Sequence, residues 1–351
     1  MYIIALMSGT SLDGLDIAYL DINQDASSAP TFRLLASATI PYSPEWRQRL
    51  STLEHASAYD YALTHVQLGH YFGQCINTFR LRHPGPVDYV ASHGHTIFHQ
   101  PQLGLTTQIA DGDAIAAETH LPVISNFRTL DVALGGQGAP LVPIGDRLFW
   151  GGYQACLNLG GIANISYENA DQQRVAFDIC PCNMPLNYLA QQLQLDYDRD
   201  GLVARTGRVE ESLLQQFNNL PYYQQQPPKS LGKEWFVSQY RPLFGSHAVC
   251  DLLRTSLEHT AYQVARVVNE GNIASMMVTG GGALNTFLLE RMRNLMPQCR
   301  IEVPDRKIVE YKEAIIFALL GYLRITKQVN TLASVTGASS SSIGGTLSGL
   351  W

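Results

Sequence analysis

Three glycine-rich turns carry the groups with which this chain could hold phosphate. The first reads Met7-Ser8-Gly9-Thr10-Ser11-Leu12-Asp13-Gly14-Leu15-Asp16, the second Asn158-Leu159-Gly160-Gly161-Ile162-Ala163-Asn164, and the third Val278-Thr279-Gly280-Gly281-Gly282-Ala283-Leu284-Asn285. Glycine admits positive φ and puts no Cβ between backbone N–H groups and an anion. The Ser, Thr, Asn and Asp beside the glycines add donors or metal-binding oxygens. One such turn between apolar runs is most often only a hairpin. Three of them, the last opening a helical pattern, point to a nucleotide clamp built from two related halves. No Gly-x-x-x-x-Gly-Lys-Ser/Thr sequence occurs and no Gly-x-Gly-x-x-Gly follows the first strand, which argues against P-loop and Rossmann folds.

Strand-forming apolar runs must position these turns: residues 2–6 and 17–21 flank the first, 155–157 and 165–167 the second, and 275–278 lead into the third. A hairpin recurring in each half, with helices between, predicts an α/β fold of mixed sheets. A helical pattern is predicted over residues 44–79, short strands near Tyr89 and Val123, and helices around 184–193 and 246–269. The Gly/Pro-rich stretch 135–143 marks the expected boundary. Residues 1–145 are then the first lobe and 146–314 the second, with about 315–351 free to return to the first. Residues 222–233, rich in Gln and Pro, read as a surface loop or lid. The Ser/Thr/Gly stretch 336–349 would be disordered in isolation, and its order is left open.

The first turn resembles the opening signature of the anhydro-N-acetylmuramic acid kinases, bacterial sugar kinases of the actin and hexokinase superfamily. Further blocks continue the likeness in order. They are Ser92-His93-Gly94-His95-Thr96-Ile97-Phe98-His99, Val123-Ile124-Ser125-Asn126-Phe127-Arg128 with residues 135–143, then 158–164, 177–183, 227–234, 279–285 and 313–318. Together they cover the chain almost from end to end. The resemblance implies an α/β, two-lobed, actin/hexokinase-like architecture of duplicated ribonuclease H-like domains, with ATP in an interlobe cleft whose closure excludes water. It also implies a reaction: water opens the 1,6-anhydro ring of anhydro-N-acetylmuramic acid while the freed O6 takes the γ-phosphoryl of ATP. The products would be N-acetylmuramic acid 6-phosphate and ADP, in cell-wall recycling by a cytoplasmic homodimer.

Carried onto this chain, the resemblance assigns Gly9, Thr10, Ser11, Leu12, Asp13, Gly14 and Asp16 to the phosphates, with Asp13 or Asp16 near Mg²⁺. Gly160 and Gly161 join them from the second half, and Gly280, Gly281, Gly282 and Ala283 lie against the adenosine. Asp178 is the implied base, activating water for attack at C1, where the transition state has oxocarbenium character. The strand-like approach Arg174-Val175-Ala176-Phe177 would present it at the end of a sheet. Read without the resemblance, Asp178 is a turn or helix-capping carboxylate before Pro181. Glu313 is either a first-turn carboxylate favoured by a helix dipole or a group touching the sugar or its attacking water. Arg128 binds the acyl carboxylate of the muramic side chain through its planar fork, or forms an ordinary surface ion pair. His93, Thr96 and Asn183 complete the implied substrate set.

With 351 residues, of which 46% are hydrophobic and 15% charged, the chain can bury two ordinary cores. A net charge of -6 leaves no basic field for nucleic acid or an anionic membrane. The N-terminus lacks a basic segment before a long apolar stretch, and the apolar run 314–320 is too short to span a bilayer, so a small-molecule enzyme of the cytoplasm is expected. Six cysteines without framework spacing read as reduced thiols. Cys180 and Cys182 with His93, His95 and His99 make a weak zinc candidate on spacing grounds. Asp196-Tyr197-Asp198-Arg199-Asp200-Gly201 copies the first half of a calcium loop, but Gly207 stands where a bidentate Glu is required, so a solvated turn before a helix is expected.

The chain also departs from the family pattern. Where the family usually has Asp-Thr-Gly-Pro-Gly-Asn, it reads Asp178-Ile179-Cys180-Pro181-Cys182-Asn183; His95 replaces a Gln, and Asn126 and Asn187 each replace an Asp. Thiol volume beside the proposed base bears on substrate fit. Two alternatives therefore stay open: a kinase for another sugar without ring opening, and a non-catalytic ATP-binding module.

Overall fold

Strand β1 (Tyr2–Ser8) and strand β2 (Gly14–Asn23) are apolar on both faces and buried along nearly their whole length, which is the pattern of strands covered on both sides. They pair antiparallel, and β3 (Thr31–Pro41) continues the meander. On the other side of β1 lies β4 (Tyr89–Gln100), parallel, with β5 (Leu105–Ile109) returning antiparallel along its second half. Then come β6 (Val123–Ser125), parallel to β4, and β12 (Thr346–Ser348), antiparallel to β6. The computed structural model describes residues 1–25 and 28–349. Two compact units result: Met1–Phe149 with Tyr311–Trp351, and Trp150–Glu310.

The second unit repeats the plan. Strands β7 (Ala155–Leu159), β8 (Ile162–Glu168) and β9 (Arg174–Pro181) form an antiparallel meander, β10 (Ser275–Thr279) lies parallel beside β7, and β11 (Arg300–Glu302) parallel beside β10. With β5 and β12 set aside, both sheets carry the order third-second-first-fourth-fifth, β3-β2-β1-β4-β6 in one and β9-β8-β7-β10-β11 in the other. The α/β class with mixed, duplicated sheets expected from the recurring hairpin is the one found.

Helices cover these sheets with stripes of helical period. Leu68, Phe72, Ile76 and Phe79 of the helix Ala58–Arg82 pack with Ile4, Leu6, Ile17 and Val90. In the second unit Leu253, Leu257, Ala261, Val264 and Val268 of the helix Val249–Glu270 join Leu157, Ile165 and Val278. The helical pattern predicted over 44–79 is broken into Pro44–Thr52 and Ala58–Arg82, because Ser43 and Ser57 each cap a fresh start, accepting from Trp46 N–H and Asp60 N–H. The strand expected to be short near Tyr89 runs for 12 residues; its Ser-His-Gly-His-Thr centre hides it from an apolar count. Gly94, at φ 76°, lets that strand pass close to the Ile109 carbonyl.

One further expectation is corrected and one open point is settled. Residues 222–233 are not wholly a surface loop: Pro221–Gln224 form a turn of 3-10 helix that buries Tyr222 and Tyr223 in the core. The Ser/Thr/Gly stretch left open above is ordered. Thr331 bridges Ser342, the Asn330 amide donates to the carbonyls of Leu320 and Gly344, and β12 adds to the sheet. Among the described residues no helix is long and apolar enough to cross a membrane.

Candidate active site

In the first unit the turn between β1 and β2 closes on itself, with Leu12 N–H donating to the Gly9 carbonyl at 3.3 Å. The left-handed residue is Leu12 (φ 60°) and not a glycine, so Gly9 does not serve there by positive φ. Gly14 is needed for a different reason: a Cβ would collide with the Ile40 carbonyl of β3. The side chains of Thr10, Ser11 and Asp13 are exposed. Asp16 sits half-buried on β2 and accepts from Thr39 Oγ1. Beneath the turn, Ser8 Oγ meets Tyr42 OH at 2.6 Å and His95 Nδ1 at 2.8 Å, all three buried. Burial lowers His95 to about 4, so the ring that replaces the family's usual Gln is a neutral hydrogen-bonding group at physiological pH.

His93 and Arg128 are brought together. His93 Nδ1–H donates to the Gly94 carbonyl at 3.0 Å, which leaves Nε2 to accept from Arg128 Nε (3.1 Å) and Nη2 (3.0 Å). Arg128 Nη1 donates to the Gly138 carbonyl at 2.8 Å. Burial first, and then the guanidinium, hold His93 well below the ordinary imidazole range, while burial lowers Arg128 to about 10 against the opposing charge of Glu313. The surface ion-pair reading of Arg128 is thus not what is found. Sequence reasoning missed Asp131, which is buried and accepts from Gly138 N–H and Thr336 Oγ1, both at 2.7 Å, fixing the loop whose carbonyl holds Arg128. A lone Asp in an amphipathic stretch carries no sequence signal for that.

Glu313 is the eighth residue of the helix Arg306–Ile325, so the first-turn alternative falls. Desolvation raises its carboxyl, Arg128 opposes this, and Asp16 adds to it. The side chain is nonetheless accessible, so the raised carboxyl is not sealed in the interior. Thr96 is half-buried on β4 and accepts from Gln108 Nε2 at 3.4 Å.

In the second unit the carbonyls of Gly160 and Gly161 accept from Asn183 N–H (3.0 Å), Cys182 N–H (2.9 Å) and Met184 N–H (3.0 Å), satisfying the orphan donors that open the helix Asn183–Gln192. The Asn183 amide donates to the Leu159 carbonyl at 3.0 Å, which ties it to the glycine turns of its own unit. Gly280 takes φ 82°, ψ 167°, a region open essentially to glycine alone, and a Cβ there would stand 2.8 Å from the Leu159 carbonyl oxygen. Gly280→Ala is therefore expected to cost about 3 kcal/mol of stability, read by chemical denaturation. Asn183, Asn187, Asp200, Gly281, Gly282 and Arg306 line a cavity of about 650 Å³, within the range of small-molecule sites.

The calcium-like segment is a turn before a helix as expected, exposed at Asp196, Tyr197 and Arg199, but its centre is not solvated. Asp198 is buried and accepts from Val203 N–H (2.8 Å) and Ala204 N–H (2.9 Å), opening the short helix Leu202–Thr206. Among the described residues no group of three or more His, Cys, Asp or Glu is placed to hold a metal by itself, zinc included. Cys180 and Cys182 lie in the core, where burial pushes Cys182 up to about 12 and holds Cys180 well above the ordinary thiol range, so their volume is spent inside the unit.

Asp178 lies within β9 opposite Asn164 at a bulge, three residues short of the strand's last residue rather than at its end. Its carboxylate caps no helix. Oδ2 accepts from Leu231 N–H at 2.8 Å, and among the described residues nothing donates to Oδ1. Desolvation raises this carboxyl, with the Leu231 N–H opposing.

The family model described as anhydro-N-acetylmuramic acid kinase matches residues 1–348. The chain belongs to that family. Curated relatives agree: a protein of Vibrio vulnificus (strain CMCP6) called anhydro-N-acetylmuramic acid kinase is 34% identical over 96% of this chain and 95% of its own length. One of Bacillus thuringiensis subsp. konkukian (strain 97-27), with the same name, is 32% identical over 99% of both. Among solved structures, the activator of the 2-hydroxyisocaproyl-CoA dehydratase from Clostridium difficile overlaps 93% of this chain and 96% of its own at a TM-score of 0.44 and 14% identity. A ROK family glucokinase from Streptomyces griseus overlaps 91% and 99% at 0.43 and 11%. As a member of the anhydro-N-acetylmuramic acid kinase family, the chain is a phosphotransferase with an alcohol group as acceptor.

Proposed function

We propose that this kinase uses ATP to phosphorylate O6 of 1,6-anhydro-N-acetylmuramic acid while water opens the anhydro ring, with Asp178 as the base. The observation that carries the reading is the Asp178 carboxylate, one oxygen pinned by Leu231 N–H, the other without a donor, and its pKa raised by burial toward the range useful to a base. Asp178 takes a proton from water as its oxygen bonds to C1. The C1–O6 bond breaks, and O6, gaining negative charge, attacks the γ-phosphorus of ATP with ADP as leaving group. The exposed turn from Gly9 to Asp13 would cradle the phosphates, and the cavity beside Gly281 and Gly282 would take the adenosine. Arg128, its fork oriented by His93 and Gly138, would receive the acyl carboxylate.

The carboxylate of Asp16, whose charge already raises Glu313, suits a Mg²⁺ ion held by one or two carboxylates and the phosphates, since a cation there would relieve that like-charge pair. Bound so, the ion would neutralise phosphate charge. A coupled ADP-release assay with the anhydro sugar, free N-acetylmuramic acid and glucose tests the whole reading. Turnover on the anhydro sugar well above the others is expected. Faster turnover on a free hexose would remove the ring opening, and ATP binding without any sugar-stimulated ADP release would remove catalysis.

A further inference from the structure

We infer that the segment from Tyr222 to Leu231 is a positioning device for Asp178, gripping it at three points so that only one carboxylate oxygen stays free to meet water. The inference rests on the reading of Asp178 as the base. β9 is the edge strand of its sheet, so at position 178 the backbone would leave groups open to water or to a stray strand. The segment takes them: Asp178 N–H donates to the Lys229 carbonyl at 3.2 Å, and Tyr222 OH donates to the Asp178 carbonyl at 2.6 Å. Leu231 N–H then holds Oδ2 at 2.8 Å. Backbone and side chain of one residue are thereby fixed by a single stretch of chain.

The segment is itself anchored, which a device of this kind requires. Tyr222 and Tyr223 are 3% and 2% exposed. Tyr223 OH meets His259 Nε2 at 2.8 Å, and His259 Nδ1 meets Asn218 Oδ1 at 2.8 Å. The Lys229 ammonium stands 4.7 Å from the centre of the Tyr222 ring and donates to the Tyr222 carbonyl at 3.4 Å, closing the intervening Gln-Gln-Gln-Pro-Pro run back on its start.

Tyr222→Phe keeps the ring and removes the hydroxyl. It is expected to lower kcat about tenfold, because a slack base loses attack geometry, while KM for ATP stays within about twofold. The acid limb of the kcat/KM profile should also move to higher pH, since a weakened Leu231 N–H bond no longer favours the ionised carboxylate. In an Asp178→Asn background Tyr222→Phe should lower the residual rate no further. A wild-type kcat and acid limb in folded Tyr222→Phe would overturn the inference, as would an equal loss in the Asp178→Asn background, which marks general softening. Leu231→Pro removes the carboxylate's own donor directly and should give the same upward shift; a folded Leu231→Pro with an unmoved limb overturns the inference even if Tyr222→Phe does not fold. Wild-type turnover by Asp178→Asn alone would instead remove the base assignment.

Discussion

Asp178→Asn should reduce sugar-dependent ADP release by roughly three orders of magnitude, in the middle of the range that a positioned base contributes. Asn preserves the shape, and its carbonyl oxygen can still accept from Leu231 N–H, so the geometry around β9 should survive. What it lacks is the capacity to take a proton from water. ATP binding, measured by calorimetry, should change less than about twofold, because uniform binding is untouched by loss of a base. The variant should also melt at a higher temperature than the wild type at pH 7. The folded carboxyl is raised above its unfolded value, so the two states are equally protonated below the unfolded value. The cost of ionising it in the fold appears only as pH rises through the folded value. The gain in Tm from Asn should therefore shrink as pH is brought down toward 4. Turnover unchanged by the substitution would remove Asp178 from its role.

Arg128→Met should raise KM for the anhydro sugar about 100-fold, with a smaller fall in kcat and little change in KM for ATP. A guanidinium carries five N–H donors. Nε and one N–H of Nη2 go to His93, and one of Nη1 goes to Gly138, which leaves one N–H on each terminal nitrogen for a carboxylate end-on. Lysine cannot supply that fork, so Arg128→Lys should rescue little of the loss. An anhydro sugar without the acyl carboxylate should be turned over equally by wild type and Arg128→Met. A KM that stays put for the full substrate would sink the assignment. With the guanidinium gone, His93 should titrate closer to the ordinary imidazole range, a shift that NMR can follow.

Much of the fold was legible because its signals are local. The apolar runs around Gly9 to Gly14, Gly160-Gly161 and Gly280 to Gly282 are strands as expected, and the likeness of their hairpins pointed to two related halves, which do share a sheet order. Polar strand centres were not legible: β4 keeps Ser92, His93 and His95 inside because Ser8, Gly94 and Arg128 satisfy them, and of these Ser8 and Arg128 lie far off in sequence. Asp131 escaped notice because its role depends on where the fold brings Gly138 N–H and Thr336 Oγ1, and Asp198 was noted only as part of a solvated turn because nothing local shows that it alone is buried to accept from Val203 and Ala204 N–H. Glu313 was misread as a possible first-turn residue because the seven residues before it, Arg306 to Lys312, are mostly charged or polar and hide the helix start. Nor could spacing reveal that the 222–231 segment covers Asp178, which needs the sheet edge to be known. The paired thiols at 180 and 182 looked like neighbours of the chemistry, yet they pack inward.

The pairing of β12 with β6 has a consequence for synthesis. β6 acquires its outer neighbour only from residues 346–348, so on the ribosome the first unit waits with an open sheet margin while the whole second unit, residues 150–310, is made. The unit translated later can finish folding sooner. During that interval the nascent first half is the species most exposed to chaperones and to self-association, and premature termination before Thr346 would leave it permanently in that state.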